Sequence, residues 1–173
     1  TVFLRDPLRK APFRIVTDGT AERYLTGGDF DPESLHFAGG QTWIGEEFGP
    51  YLVKFDPDGR LLAVIDTLVD GRAAQSPDHP GGLGSIEVAR SKGLEAMAGS
   101  PDGRLLYPML EGPLAGESDP RVVRILEFDV AAERWTGRHW NYLLEQDGNA
   151  IGDLTMIDAT TALVIERDNG YGT

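Results

Sequence analysis

The sequence predicts an all-β fold, a β-propeller of which this chain covers about two and a half blades. Three observations carry that expectation. Short apolar runs recur between turn residues, one internal phrase returns three times, and Gly 22 and Pro 11 in 173 residues accompany no long amphipathic helical pattern.

The β-type runs are residues 34–38, 42–46, 51–55, 61–66, 105–110, 122–128 and 161–166. Asp58-Gly59, Asp102-Gly103 and Asp147-Gly148 are turn dipeptides that join antiparallel neighbours, so hairpins and meanders are expected. The repeated phrase is an acid opening an apolar strand, a turn, and a second strand ending in acid. Its copies open at Glu33, Glu95 and Asp153 and close at Glu46-Glu47, Glu111 and Glu166. The openings are 62 residues apart (33 to 95) and then 58 (95 to 153), a period that suits a four-stranded blade plus a long loop. A second echo falls where a third strand belongs: Tyr51-Leu52-Val53-Lys54-Phe55-Asp56 against Arg124-Ile125-Leu126-Glu127-Phe128-Asp129.

These registers place blades at about 31–66 and 93–144, with a third cut off over 152–173. The segment 70–92 is the long, mobile connection, and residues 13–17 and 23–26 are outer strands of a preceding blade. Two and a half blades leave strand edges open, so a longer natural protein or self-association is expected to complete the ring.

Composition excludes several function classes. With 28 acidic against 16 basic residues the net charge is −12, which argues against nucleic acid as partner, and no apolar run reaches the ~20 residues of a membrane span. Absence of cysteine removes disulfides, thiolate metal sites and a cysteine nucleophile. No Gly-x-Ser-x-Gly elbow occurs, and Ser34, Ser85 and Ser100 have no histidine placed by sequence to activate them. His36, His79 and His139 lack zinc-type spacing and read as surface or packed side chains. Residues 1–10 lack the pattern of a secretory signal. The tail Asn169-Gly170-Tyr171-Gly172 resembles no phosphate loop.

In a propeller the innermost strands line the central channel, so acids at equivalent places project to one axis. Glu33, Glu95 and Asp153 are expected to form one ring, with Glu47, Glu111 and Glu166 as a second layer or a rim of the pocket. Crowded carboxylates persist only if protons or cations neutralise them, and calcium suits a donor set that is all oxygen. Asp168 adds a further ligand, and Arg167, between Glu166 and Asp168, is either the grip for an anionic substrate or an ion-pair partner of those acids. The Asp29/Asp31 pair reads as a calcium clip or as a solvated strand entry.

Several phrases together resemble the phytase-like domain family: Gly28-Asp29-Phe30-Asp31-Pro32-Glu33-Ser34, Trp43-Ile44-Gly45-Glu46-Glu47-Phe48-Gly49-Pro50-Tyr51, Ser76-Pro77-Asp78-His79-Pro80, Gly93-Leu94-Glu95-Ala96-Met97-Ala98, Ser100-Pro101-Asp102-Gly103-Arg104 and Ile151-Gly152-Asp153 with Glu166-Arg167-Asp168-Asn169-Gly170. The resemblance implies a ring of about six blades, a secreted or periplasmic protein, and esterase-like or phosphodiesterase activity carried by aspartates and glutamates. The expected function is therefore a calcium-dependent hydrolase of small phosphate esters, with Glu47, Glu111 and Glu166 catalytic and Arg167 holding the phosphate. The alternatives are a calcium-stabilised binding module without turnover and a metal-dependent lactonase. Family members commonly carry Glu-Gly-Met-Ala where this chain has Glu95-Ala96-Met97-Ala98, a departure that bears on how closely the backbone packs there.

Overall fold

The computed structural model describes residues 1–82, 86–168 and 170, and every regular element among them is a β-strand. β1 (Pro32–Ala38), β2 (Gln41–Glu46), β3 (Tyr51–Phe55) and β4 (Leu61–Asp66) form one antiparallel meander in chain order. β5 (Leu68–Val69), β6 (Arg72–Gln75) and β7 (Ile86–Glu87) make a small connecting sheet. β8 (Ala96–Gly99), β9 (Leu105–Met109), β10 (Val122–Asp129) and β11 (Arg134–Leu143) repeat the meander, and β12 (Ala150–Met156) pairs with β13 (Ala162–Arg167) in a third sheet. The first strands are neighbours, β1 beside β8 and β8 beside β12, and the sheets do not close into a barrel.

Turn chemistry sets these boundaries. Gly39 and Gly40, at φ 59° and 73°, close the β1–β2 hairpin in a conformation that side chains resist. Before Gly59, the Asp56 carboxylate accepts the N–H groups of Asp58 (2.9 Å) and Arg60 (2.8 Å), fixing the β3–β4 turn. The Ser100 hydroxyl does similar work between β8 and β9, donating to Asp102 (2.6 Å) and accepting from Leu105 N–H (2.9 Å). Asp147-Gly148 differs from the other two dipeptides, because it carries the chain from β11 to β12, which lie in separate sheets.

The main core lies between the first two meanders. Trp43, fully buried, stands 5.2 Å from Phe128 at 60°, donates its indole N–H to Ala38 O (3.2 Å), and is joined by Leu52, Leu94, Leu106 and Leu126. At the outer strands Trp135 N–H donates to Asp66 O (2.7 Å). A second core binds β8 and β9 to the third sheet through Ala96, Met109, Ile151 and Leu154. Ala96 is fully buried there, so its methyl is packed and the residue at the departure from the family pattern contributes to the core.

One expectation is corrected. Residues 13–17 and 23–26 form no strands; residues before 30 make only the isolated bridges of Arg5 to Tyr24 and Arg60, and Ile15 and Phe30 are buried in a cover over the first sheet. Polar anchors hold that cover. Buried Asp6 accepts Lys10 and Ala11 N–H groups and pairs with buried Arg23 at 3.1 Å. Within the 70–92 connection the described part carries β6 and β7, and Ala74 and Val88 enter the main core beside Val69 of β5.

Replacing Trp43 with Ala leaves a cavity between the two meanders and should lower unfolding free energy by about 3–5 kcal/mol, read from denaturant midpoints at unchanged m-value.

Candidate functional site

Side-chain alternation and one bulge build the site. At the end of β2, Glu46 and Glu47 point opposite ways. Glu46, 1% exposed, turns inward and accepts backbone N–H groups of Asp31 (3.2 Å), Phe48 (2.8 Å) and Gly49 (2.9 Å). Glu47 turns the other way. In β1 the register runs from Pro32–Glu46 to Ser34–Gly45, so Glu33 is the extra residue of a bulge and is aimed independently of the ladder. The second meander repeats this: Glu111 N–H donates to Gly93 O (2.9 Å) as Glu47 N–H donates to Asp31 O (3.0 Å). Glu95 thus corresponds to Glu33, and Glu111 to Glu47.

The two acid pairs meet because the chain at Gly93-Leu94 passes directly over the end of β2. A Cβ on Gly93 would stand 2.5 Å from Glu47 Cα and 2.7 Å from its carbonyl oxygen, so only glycine allows the approach. The Ser34 hydroxyl donates to Leu94 O (2.9 Å) and ties the crossing down. The close backbone contact sits at Gly93, three residues before Ala96.

One carboxylate oxygen from each of Asp31, Glu33 and Glu47 lies within 4.8 Å of the others, and the same holds for Glu47, Glu95 and Glu111. Glu47 belongs to both groups. It and Glu111 are nearly buried at 8% and 5% exposure. Burial, then the charges of Glu33, Asp31 and Glu111, raise the Glu47 pKa to about 7 against a partial offset from Ser91. Glu95 is likewise raised to about 7, by burial and then Glu111 and Glu33, with Arg167 opposing. Glu33 is raised by desolvation and then by Asp31 and Glu111. Glu111 itself is held by two cations, Arg167 at 3.0 Å on one oxygen and Lys92 at 3.1 Å on the other.

The third sheet departs by one residue. Ala150 pairs with Arg167, Ile151 with Glu166 and Asp153 with Ile165, so the bulge residue is Gly152. By register Gly152 stands where the earlier sheets have Glu33 and Glu95, and Arg167 where they have Glu47 and Glu111. Asp153 is exposed and accepts its neighbour Leu154 N–H (2.8 Å). Glu166 takes the place of Glu46: it accepts Tyr142 O–H (3.0 Å), Glu145 N–H (2.7 Å) and Asn149 N–H (2.6 Å). Partial burial pushes its pKa up, but those hydrogen bonds outweigh it and leave the carboxyl below its usual range. Asp168 is exposed and caps Gly170 N–H (2.8 Å).

Of the residues singled out from sequence, then, the fold brings Glu33, Glu47, Glu95, Glu111 and Arg167 together and holds Asp153, Glu166 and Asp168 outside the close-set acids. Asp31 joins them, whereas Asp29 is spent on Val16 N–H (2.6 Å), Thr26 N–H (2.7 Å) and Thr26 O–H (2.8 Å). Lys92 was missed; its only sequence signal is its place beside Gly93. His36 packs against Gly99, His79 meets Asp66 at 3.1 Å and His139 meets Asp70 at 3.3 Å, all away from the acids. Ser85, Asn169, Tyr171 and Gly172 lie outside the described residues, as does the end of the third expected blade.

The arrangement defines a class: an all-β protein whose site gathers carboxylate oxygens from two sheets, with cations at one side. The chain belongs to the phytase-like family described as "Esterase-like activity of phytase", whose model matches residues 2–173. An "Uncharacterized secreted protein" of Arthroderma benhamiae is 27% identical over 113 residues, 53% of this chain and 22% of that protein, so the match spans about a fifth of the relative's length. Among solved structures, U3-55K aligns at 14% identity and TM-score 0.37 over 78% of this chain and 45% of that one. Hydrazine synthase of Kuenenia stuttgartiensis aligns at 14% and 0.27 over 69% and 42%. Neither superposition is close enough to define a shared architecture. No helix among the described residues is long and apolar enough to cross a membrane.

Glu47 and Glu95 bind protons more tightly folded than unfolded, so the metal-free protein loses stability as pH rises from about 4.5 towards 7 and above. Melting temperature without divalent ions should fall across that window, and Glu47→Gln should flatten the fall.

Proposed function

We propose that this chain is part of a calcium-dependent hydrolase of phosphate esters, secreted from the cell, in which the acids of Asp31, Glu33, Glu47 and Glu95 hold the ion. The observation that carries the reading is the convergence of carboxylates from two sheets on Glu47, whose mutual repulsion calls for a counter-ion. Family membership supports the hydrolytic class, and the secreted relative supports the location. The meanders stacked by their first strands support a propeller. Exposed Leu35 (53%) and Phe37 (72%) on β1, with Leu163 (58%) and Ile165 (59%) on β13, are apolar faces that further blades of a ring would cover.

Bound calcium would neutralise part of the phosphate charge and acidify a water. The chain's own groups do the rest. The Glu47 carboxylate oxygen that does not face the ion takes the proton of the attacking water as that water's oxygen bonds to phosphorus. The phosphorus–oxygen ester bond breaks, and the departing alkoxide takes a proton from solvent. Arg167 shares its guanidinium between Glu111 and the phosphate oxygens, and Glu111 fixes its direction.

The test is turnover of chromogenic phosphate mono- and diesters by the intact protein, with lactones alongside. Chelation should abolish it and calcium restore it; calcium-dependent melting with no turnover of any of them would leave a binding module instead. Glu33→Gln and Glu95→Gln should each weaken calcium binding by about tenfold or more, measured by calorimetry, while Asp153→Asn leaves it unchanged.

A further inference from the structure

Beside the acids, residues 91–93 form an arm whose parts are each fixed by a different contact. Gly93 is pressed onto the Glu47 backbone at the crossing. Ser91 holds φ 52°, a left-handed conformation that ordinary side chains adopt only under constraint, and its hydroxyl bonds the Glu47 carboxylate. Lys92 stands between them. A Cβ on Gly112 would meet Lys92 Cδ at 3.0 Å and Cγ at 3.1 Å, so the methylene stem lies along the Gly112 backbone. The ammonium reaches Glu111 Oε2 at 3.1 Å. Backbone, stem and head are all placed, yet the side chain keeps 38% exposure and is open to a solute.

This lysine has hydrogen-bonding capacity left over. An ammonium donates three hydrogen bonds, and Glu111 is the one ion-pair partner of Lys92 among the described residues. Arg167 holds the other oxygen of Glu111 at 3.0 Å, so two positive charges flank a single negative one and this side of the site is cationic. The anionic end of a substrate meets its charge complement there.

We propose that Lys92 contacts the substrate's phosphate and makes the site select phosphate monoesters over diesters. The inference rests on the hydrolytic reading and extends it to the substrate class. A monoester presents three non-bridging oxygens and carries about two negative charges above neutral pH, whereas a diester has one oxygen and one charge fewer. In the reading above, the ion and Arg167 account for two of those oxygens. A monoester alone has a third to give the Lys92 ammonium, a compact point charge that bonds an oxygen from many directions. In a diester an ester oxygen and its substituent take that place, and the lysine is left without a charge to bind.

The experiment compares intact wild-type protein with Lys92→Met and Lys92→Arg, all in calcium. It measures kcat/KM on nitrophenyl phosphate and bis(nitrophenyl) phosphate, and calorimetric binding of methyl phosphate and dimethyl phosphate. Lys92→Met should lower both the monoester-to-diester ratio of kcat/KM and the preference for methyl over dimethyl phosphate by about tenfold or more, while Lys92→Arg keeps most of each. Arg90, two residues away and paired with Asp78, is the charge control, and Arg90→Met should leave both ratios unchanged. Binding is read whether or not turnover occurs: a protein that hydrolyses neither ester but prefers methyl phosphate through Lys92 loses the hydrolytic reading and keeps the lysine contact. Ratios unmoved in Lys92→Met, or moved equally in Arg90→Met, would overturn the proposal. So would wild-type protein that binds neither phosphate, or binds dimethyl phosphate as tightly. Lys92→Gln, which keeps part of the stem along Gly112, repeats the test should Lys92→Met not fold.

Discussion

The crossing of Gly93-Leu94 over the end of β2 fixes the geometry of everything around it. Main chain meets main chain there without an intervening side chain, which sets the spacing of the first two meanders at their acidic end. Trp43 and Phe128 fill the same seam lower down. With the seam fixed from both ends, Glu47 and Glu95 sit in a partly desolvated cluster, where burial first and neighbouring carboxylates second raise their proton affinity. The site is thus a product of packing as much as of charge.

A one-residue difference in register decides which side chains take part. Each of the first two sheets offers a bulged glutamate and a strand-end glutamate, while the third offers Gly152 and Arg167 at the corresponding places. The result is a polarised site, with acids from two sheets facing cations that converge on Glu111. Glu46 and Glu166 show what the alternate register position is for: both turn their carboxylates onto backbone donors of adjoining turns. A carboxylate at such a place is a structural acceptor, whatever its neighbours do.

Much of this was legible beforehand. The alternation and the Asp-Gly punctuation marked the strands of the first meander, and the repeat matched Glu33 with Glu95 and Glu47 with Glu111. Asp153 and Glu166 fit the same phrase because letters do not record a bulge, and shifting it by one residue exchanges the faces of a strand. β11 carries polar residues on both faces, as an outer strand can, and so gave no alternation to read. The short β5, β6 and β7 sit in a stretch rich in glycine and proline, where a few buried contacts of Val69, Ala74 and Val88 override composition. The cover before residue 30 is held by Asp6, Arg23 and Asp29, ion pairs and backbone acceptors that only the folded chain brings together.

Glu33 and Glu95 are separated by 62 positions (95 minus 33), and each comes within reach of Glu47 from a different sheet. Any ion shared between them closes a loop of that length, much as a covalent bridge would, in a chain without a single cysteine. Such a clasp restricts the unfolded ensemble only while it is loaded. The resilience of the protein towards heat and proteases would then follow the divalent-ion content of its surroundings.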